Sequence, residues 1–117
     1  MPLPRHRHLC GKIKFVNNLD LPYRFWQAAP GDTSPWVELE LASAKTFSQV
    51  SLLEHYECTQ AFAFDAWVAG QWKTIFSDNE IGSYNRRLKT PVTTTKVRIR
   101  FLKLAGTATL SSVMLYQ

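Results

Sequence analysis

The sequence lacks the features that mark a disulfide scaffold, a membrane protein or a helical domain. It has two cysteines in 117 residues, whereas small disulfide-stapled domains are dense in cysteine. No apolar run approaches the roughly 18 residues that a membrane-spanning helix needs, and the start of the chain has no apolar stretch of signal-peptide length. No segment combines helical periodicity with capping residues. We therefore expect one all-β domain and no membrane span.

The first eleven residues are rich in proline and histidine and predict a flexible lead. We place the domain itself at residues 12–117. His6, His8 and Cys10 would share one face of an extended lead, as metal ligands can, but no convincing fourth ligand follows and we do not predict zinc. One bridge between Cys10 and Cys58 is an alternative to two free thiols, and we favour the thiols.

Catalytic motifs are also missing. A glycosidase needs two carboxylates about 5–10 Å apart across a pocket, and we expect Glu38, Glu40 and Asp65 on the solvated outer faces of strands instead. The chain has no nucleophile elbow and no phosphate-cradling loop. We predict a domain without catalytic activity.

The net charge of +5 would suit a polyanion, but the cations are dispersed. Nucleic-acid-binding domains usually add a recognition helix or a base-stacking platform, so we expect no nucleic-acid partner. Cations at alternate positions share one face of a strand. We expect three of them to face outward and to pair with Glu38 and Glu40 if those strands are neighbours: Lys96, Arg98 and Arg100.

What the sequence does contain is a series of short segments with two-residue alternation. Phe62, Phe64, Ala66 and Val68 predict the inner face of a strand. Ala69–Gly70 then predicts a turn into a second strand at 72–76, which makes a hairpin. Further strands are predicted at 12–16, 36–41, 47–53, 96–101 and 109–116, with a turn at 42–45 and a polar loop at 78–88. Seven or eight short strands separated by turns indicate a sandwich or jelly roll.

Taken in order, these segments resemble a galactose-binding-like domain of the discoidin, or coagulation-factor C, type. They are most similar to the C-terminal domain of family 29 α-L-fucosidases. The resemblance covers about residues 36–116 and rests on WVELEL at 36–41, TFSQV at 46–50, FAFDAW at 62–67, GQW at 70–72, IG at 81–82 and VRIR at 97–100.

The resemblance implies an all-β, galactose-binding-like jelly-roll β-sandwich of about eight antiparallel strands. It also implies a monomeric, non-catalytic carbohydrate-binding accessory domain of a secreted or periplasmic glycoside hydrolase. Its partner would be a glycan or the catalytic domain of the parent chain. Members of the family can hold a structural calcium ion near the start of the domain, where this chain keeps Asp20 but lacks the family's glycine. Calcium takes six to eight oxygens, so we weigh calcium at Asp20 against no cofactor and favour none.

Modules of this fold present their ligand on loops at one end of the sandwich, with an aromatic ring for the apolar face of a sugar and polar side chains for its hydroxyls. Three predicted loops carry such residues, although loops of any soluble domain often do. The predicted ligand-binding residues are Tyr23, Arg24, His55, Tyr56, Tyr84, Asn85 and Arg86. We expect one of Phe25 and Trp26 to fill the core.

Three alternative functions remain at this point. One is a structural docking domain without a ligand, for which Trp67 is the candidate contact unless a loop covers it. Another is a discoidin-type module that binds phospholipid or protein, which would need exposed apolar loop tips; the chain offers Leu19, Leu21 and Phe25. The last is an intracellular adaptor, which two free cysteines would suit.

Overall fold

The computed structural model describes residues 25–29 and 31–117, and all the regular elements there are β-strands. The strands are β1 (Trp26–Gln27), β2 (Trp36–Leu53), β3 (Thr59–Val68), β4 (Gln71–Asp78), β5 (Ser83–Leu104), β6 (Thr109–Leu110) and β7 (Ser112–Tyr116). Over these residues we find no helix that could cross a membrane. The predicted strand at 12–16 lies outside the described residues.

Strand pairing is antiparallel throughout the described residues. A five-stranded sheet has the order β4-β3-β5-β2-β7, and β1 pairs with β6. The long strands β2 and β5 take part in two layers. In layer A, β4, β3 and residues 97–104 of β5 lie beside the start of β2. In layer B, residues 83–94 of β5 and the end of β2 lie beside β7. The prediction of an antiparallel β-sandwich is confirmed.

Ring contacts between residues that are not partners in the strand register show that the two layers face each other. Tyr84 of layer B lies 5.2 Å from Phe62 of layer A, ring centre to ring centre. Phe47 lies 6.2 Å from Phe64 in an edge-to-face contact. The apolar side chains on both inner faces are removed from water, and this burial of apolar surface is the main stabilising term for such a fold.

The core follows the predicted alternation. Phe62, Phe64 and Ala66 are fully buried, and so are Val97 and Ile99 on the strand beside them. Trp26 also lies in the core and stacks on Phe101 at 5.6 Å. The expectation that Phe25 or Trp26 fills the core is therefore confirmed for Trp26.

The predicted hairpin is confirmed as β3 and β4. Val68 pairs with Gln71 across a two-residue connection. Ala69 and Gly70 both have positive φ values, 54° and 78°. Two successive residues with positive φ are the signature of a turn whose twist matches that of the flanking strands.

The predicted turn at 42–45 and the predicted loop at 78–88 are wrong in part. Residues 42–45 do not reverse the chain, because β2 continues through an irregularity between Glu40 and Lys45 in its pairing with β5. A bulge of this kind adds residues to one strand and bends it without ending it. The polar segment after residue 82 is likewise not a loop: it forms the first part of β5 and pairs with β2. Polar residues there lie on an exposed strand, where alternation with apolar residues is weak.

Candidate functional site

An aromatic cluster is formed by the residue before β1 and by the connection between β2 and β3. The rings of Phe25 and His55 are stacked with centres 3.8 Å apart and planes within 9°. Tyr56 meets both edge-on, at 5.9 Å from Phe25 and 4.5 Å from His55. Tyr56 is 53% exposed. We call Phe25, His55 and Tyr56 the aromatic platform.

The platform is held by backbone contacts to β6. The Tyr56 amide donates to Thr109 Oγ1 at 2.9 Å, and Thr109 Oγ1 donates to the Tyr56 carbonyl at 3.3 Å. Thr109 is fully buried. On the other side, β1 pairs with β6 through Trp26 and Leu110. Since side chains along a strand alternate, burial of Trp26 leaves Phe25 free to join the platform.

A polar pocket of about 490 Å³ is lined by the two chain neighbours of His55–Tyr56. These are Glu54 and Glu57, and Gln60 and Glu80 line the pocket as well. Glu54 is buried and fixes the pocket wall: it accepts hydrogen bonds from the Thr59 amide at 3.1 Å, from the Thr59 hydroxyl, and from the Gly82 amide at 2.8 Å. Glu57, Gln60 and Glu80 are exposed. Their carboxylate and amide groups can hydrogen-bond to ligand hydroxyls.

Tyr84, Asn85 and Arg86 occupy β5 rather than the predicted loop. Asn85 Oδ1 accepts a hydrogen bond from the hydroxyl of Ser51. Tyr84 donates to Asp78 at 2.8 Å, and Arg86 reaches the same carboxylate at 3.8 Å. Among the described residues their recorded contacts are thus with layer B, β4 and Phe62 of β3, and not with the platform.

The Asp78 carboxylate shows the effect of these partners. The Asn79 amide and the Tyr84 hydroxyl both donate to it, and they hold the pKa of Asp78 below its ordinary value of 3.8. Burial raises the pKa of Tyr84 above 10.0. Both groups are therefore in their ordinary charge states at neutral pH.

Asp65 corrects the expectation of a solvated acid on the outer face of a strand. It is 0% exposed, and its oxygens accept from Arg98 Nε at 2.8 Å and Arg100 Nε at 2.7 Å. Thr74 donates a further bond at 2.9 Å. Burial alone would raise the pKa of Asp65, but the bonds from Arg100, Arg98 and Thr74 outweigh it and hold that pKa below 3.8. The carboxylate stays charged because it is fully paired.

The predicted pairing of the outward cations with β2 is confirmed for one of them. Lys96 Nζ lies 3.7 Å from a carboxylate oxygen of Glu38. Arg98 and Arg100 turn to Asp65 instead. The Asp65 carboxylate lies between the two guanidinium groups and accepts short, charge-assisted bonds from both of them.

Trp67 is half-buried, and among the described residues its ring contacts are with side chains of neighbouring strands. Trp72 meets it edge-on at 5.3 Å, and the Lys96 ammonium lies 4.2 Å from its ring centre. Arg98 lies 4.4 Å from the centre of the Trp72 ring. Cations over tryptophan faces are stabilised by the ring quadrupole, so these two tryptophans belong to the packing of layer A.

Several predicted site residues lie outside the described residues. They are Asp20, Tyr23 and Arg24; His6, His8 and Cys10, which were weighed as metal ligands and not predicted to be so, lie outside them as well. Within residues 25–29 and 31–117, no group of three histidine, cysteine, aspartate or glutamate side chains could hold a metal ion. Cys58 is a free thiol.

Sequence reasoning missed Phe25, Glu57, Gln60 and Glu80 as site residues. Phe25 was a candidate for the core, and only the pairing of β1 with β6 decided between it and Trp26. The three polar residues looked like ordinary solvated positions. The one signal for Glu57 was its place beside His55–Tyr56 in the chain.

Comparison with known proteins gives one family and a consistent fold. The sequence model of the F5/8 type C domain matches residues 13–115. A search of curated protein sequences finds no match. Among solved structures, SpGH29 superposes with a TM-score of 0.74 at 27% identity, over 84% of this chain and 22% of that one.

Two further solved structures have the same fold at lower identity. A GH29 fucosidase of Ruminococcus gnavus in complex with fucose gives a TM-score of 0.68 at 17% identity, over 84% of this chain and 21% of that one. Chitosan-binding module 2 of a chitosanase/glucanase from Paenibacillus sp. IK-5, in complex with chitotriose, gives a TM-score of 0.71 at 18% identity. The match covers 80% of this chain and 77% of that one. This chain thus spans about a fifth of each of the first two proteins and most of the third.

Proposed function

The chain belongs to the F5/8 type C domain family, and from that premise we propose that it is a non-catalytic carbohydrate-binding domain whose ligand lies on the aromatic platform. The observation that carries the proposal is Tyr56, which is 53% exposed at one edge of a ring cluster. Buried aromatic rings need no ligand. An exposed ring held in place by its neighbours offers a flat apolar surface for the C–H face of a sugar.

The polar pocket lined by Glu54 and Glu57, which flank His55–Tyr56 in the chain, supports the same function. Sugar rings present an apolar face and a rim of hydroxyls, and a binding site needs partners for both. Glu57, Gln60 and Glu80 supply acceptors and donors in this pocket, and Glu57 directly follows Tyr56 in the chain. His55 stacks on Phe25, which fixes the orientation of the platform before a ligand arrives. A preorganised site loses less side-chain entropy on binding.

We extend the proposal to the longer protein. SpGH29 and the R. gnavus fucosidase are each several times longer than the stretch that this chain matches, which suits an accessory domain of a glycoside hydrolase. Such a domain would direct a catalytic domain to its glycan or support it. We place the parent protein in the secreted or periplasmic class and treat the isolated domain as a monomer.

The test is a glycan array followed by calorimetric titration of the domain with its hits, with L-fucose and chitotriose included by name. We expect Tyr56→Ala to lower the affinity of a sugar hit by about fivefold to tenfold, since it removes the stacking surface. Tyr56→Phe keeps the ring and is the matched control, with affinity within about twofold of the parent domain.

The result that contradicts the proposal is a folded domain that binds no glycan, or a sugar hit whose affinity Tyr56→Ala leaves unchanged. The docking-domain alternative receives no specific support, because Trp67 packs against Trp72 and Lys96. The membrane-binding alternative would need free apolar tips, and Phe25 is stacked on His55. Leu19 and Leu21 lie outside the described residues.

A further inference from the structure

An open groove of about 700 Å³ separates the two strand edges at the side of the sandwich. One wall is β4, the last strand of layer A. The other is residues 86–93 of β5, whose pairing among the described residues is with β2 alone. Apolar side chains from both walls line the groove, among them Ile75, Phe76 and Val92.

Four cations line this groove: Lys73, Arg86, Arg87 and Lys89. No aspartate or glutamate is among its described lining residues. Arg86 has a partial counter-charge in Asp78 at 3.8 Å, in a pair whose side chains are 44% and 43% exposed. The other three have no acidic partner within the described part of the chain. Cations gathered around a concave surface raise the local positive potential and attract anions.

From this arrangement we propose that the groove is a second binding site and that its ligand is an anionic oligosaccharide carrying carboxylate or sulfate groups. Arginine presents a fork of donors to such groups, and lysine supplies a mobile point charge. The apolar lining gives sugar rings a surface to rest on. The strand from residue 86 to residue 93 is roughly 25 Å long, which suits a chain of sugars better than a single ion.

An acidic peptide is the competing ligand, since strand edges can add a further strand. That mode depends on a continuous row of backbone donors and acceptors. Pro91 lies in the β5 wall and has no N–H to donate. The pairing of β5 with β2 is also irregular near Phe47 and Gln49, opposite Val92 and Arg87. The edge is therefore poorly suited to accept a peptide strand, which favours the glycan.

The experiment titrates the domain calorimetrically with four probes: a polygalacturonate hexamer, a heparin-derived hexasaccharide, neutral maltohexaose and a polyglutamate peptide. We expect binding of at least one anionic saccharide, weakened by added salt. The double substitution Arg87→Gln/Lys89→Gln should lower its affinity about tenfold, and Lys89→Gln alone about threefold. Lys103→Gln is the matched control, because it removes one exposed charge elsewhere on β5.

Each other outcome overturns the proposal. If Lys89→Gln and Lys103→Gln lower the affinity for the anionic saccharide equally, the saccharide is attracted by the net charge and the groove is not its site. Binding of polyglutamate with the same sensitivity to Arg87→Gln/Lys89→Gln would make the ligand an acidic peptide. If neither anionic saccharide binds, the proposed groove site does not exist. These readouts are independent of the platform, since Tyr56→Ala should leave anionic binding unchanged while it weakens the ligand of the platform.

Discussion

The outer face of layer A and the groove beside β4 contain similar cations in opposite situations. On the outer face, Arg98 and Arg100 close around the buried carboxylate of Asp65. In the groove, Arg87 and Lys89 have no acidic neighbour among the described residues. The difference is one buried acid. The +5 net charge therefore does not show how many cations can bind an external anion, because some cations pair with a buried acid and others line a groove.

The paired cations are structural for a definite reason. A buried carboxylate is costly unless its lone pairs are filled, and Asp65 accepts bonds from two guanidinium groups and one hydroxyl. The same bonds orient Arg98 over Trp72. The groove has no comparable anchor, so Lys73, Arg87 and Lys89 are free to meet an external anion.

The largest expected effect comes from breaking the paired region at its centre. We expect Asp65→Asn to lower the free energy of unfolding by about 2–4 kcal/mol, since it leaves Arg98 and Arg100 side by side without their counter-charge. Urea denaturation measures this. Asp78→Asn makes the same chemical change at an exposed pair and should cost less than about 1 kcal/mol. Equal losses of unfolding free energy in Asp65→Asn and Asp78→Asn would contradict the distinction between a buried and an exposed ion pair.

Acid should act on the same carboxylate. The pKa of Asp65 in the folded protein is below 3.8, so its contribution to stability is fully present well above pH 3.8 and is lost as the pH falls through the folded pKa. We expect the difference in urea midpoint between the parent domain and Asp65→Asn to be constant near neutral pH and to shrink below about pH 4. A constant difference down to pH 2 would contradict the lowered pKa.

A smaller effect is expected from the tryptophan pair on the same face. Trp72→Ala removes the ring that contacts Trp67, Arg98 and Lys96, and we expect a loss of about 1–2 kcal/mol in unfolding free energy. Trp72→Phe keeps an aromatic face and should retain more than half of that stability. Denaturation of both variants checks this, and an unaffected Trp72→Ala would show that the cations do not depend on the ring.

The smallest effect should come from the groove. We expect Arg87→Gln/Lys89→Gln to change the unfolding free energy by no more than about 0.5 kcal/mol. Lys96→Gln, which removes the partner of Glu38, should cost about 0.2–1 kcal/mol. Thermal and urea denaturation of the two variants compare a paired site with an unpaired one. A loss above about 1 kcal/mol in the groove variant would mean that its cations are structural after all.

Much of the sandwich could be predicted from local pattern. The alternation at Phe62–Ala66 and at Val97–Phe101 predicted inner faces that are buried, and Ala69–Gly70 predicted the turn between β3 and β4. These features depend on residues close in sequence. The continuity of β2 and β5 could not be predicted in the same way, because a bulge and an exposed polar strand both look like a loop when only neighbouring residues are considered.

The candidate site was predicted in part. His55 and Tyr56 lie on the platform as expected of loop aromatics, whereas Tyr84, Asn85 and Arg86 belong to β5. Their assignment to a loop followed from polarity alone. Phe25 joined the platform only because Trp26 took the core position, and that choice depended on how β1 pairs with β6.

The sequence by itself determined which side chains turn inward and the type of fold, because a two-residue period fixes the two faces of a strand wherever it pairs. Only the tertiary structure decided which charges meet. Asp65 and Arg98 are 33 residues apart, and they become neighbours through the register of β3 against β5. The strength of an electrostatic contact depends on distance and burial, which no local pattern contains. For that reason the paired cations of layer A and the unpaired cations of the groove look alike in the sequence and differ in the folded protein.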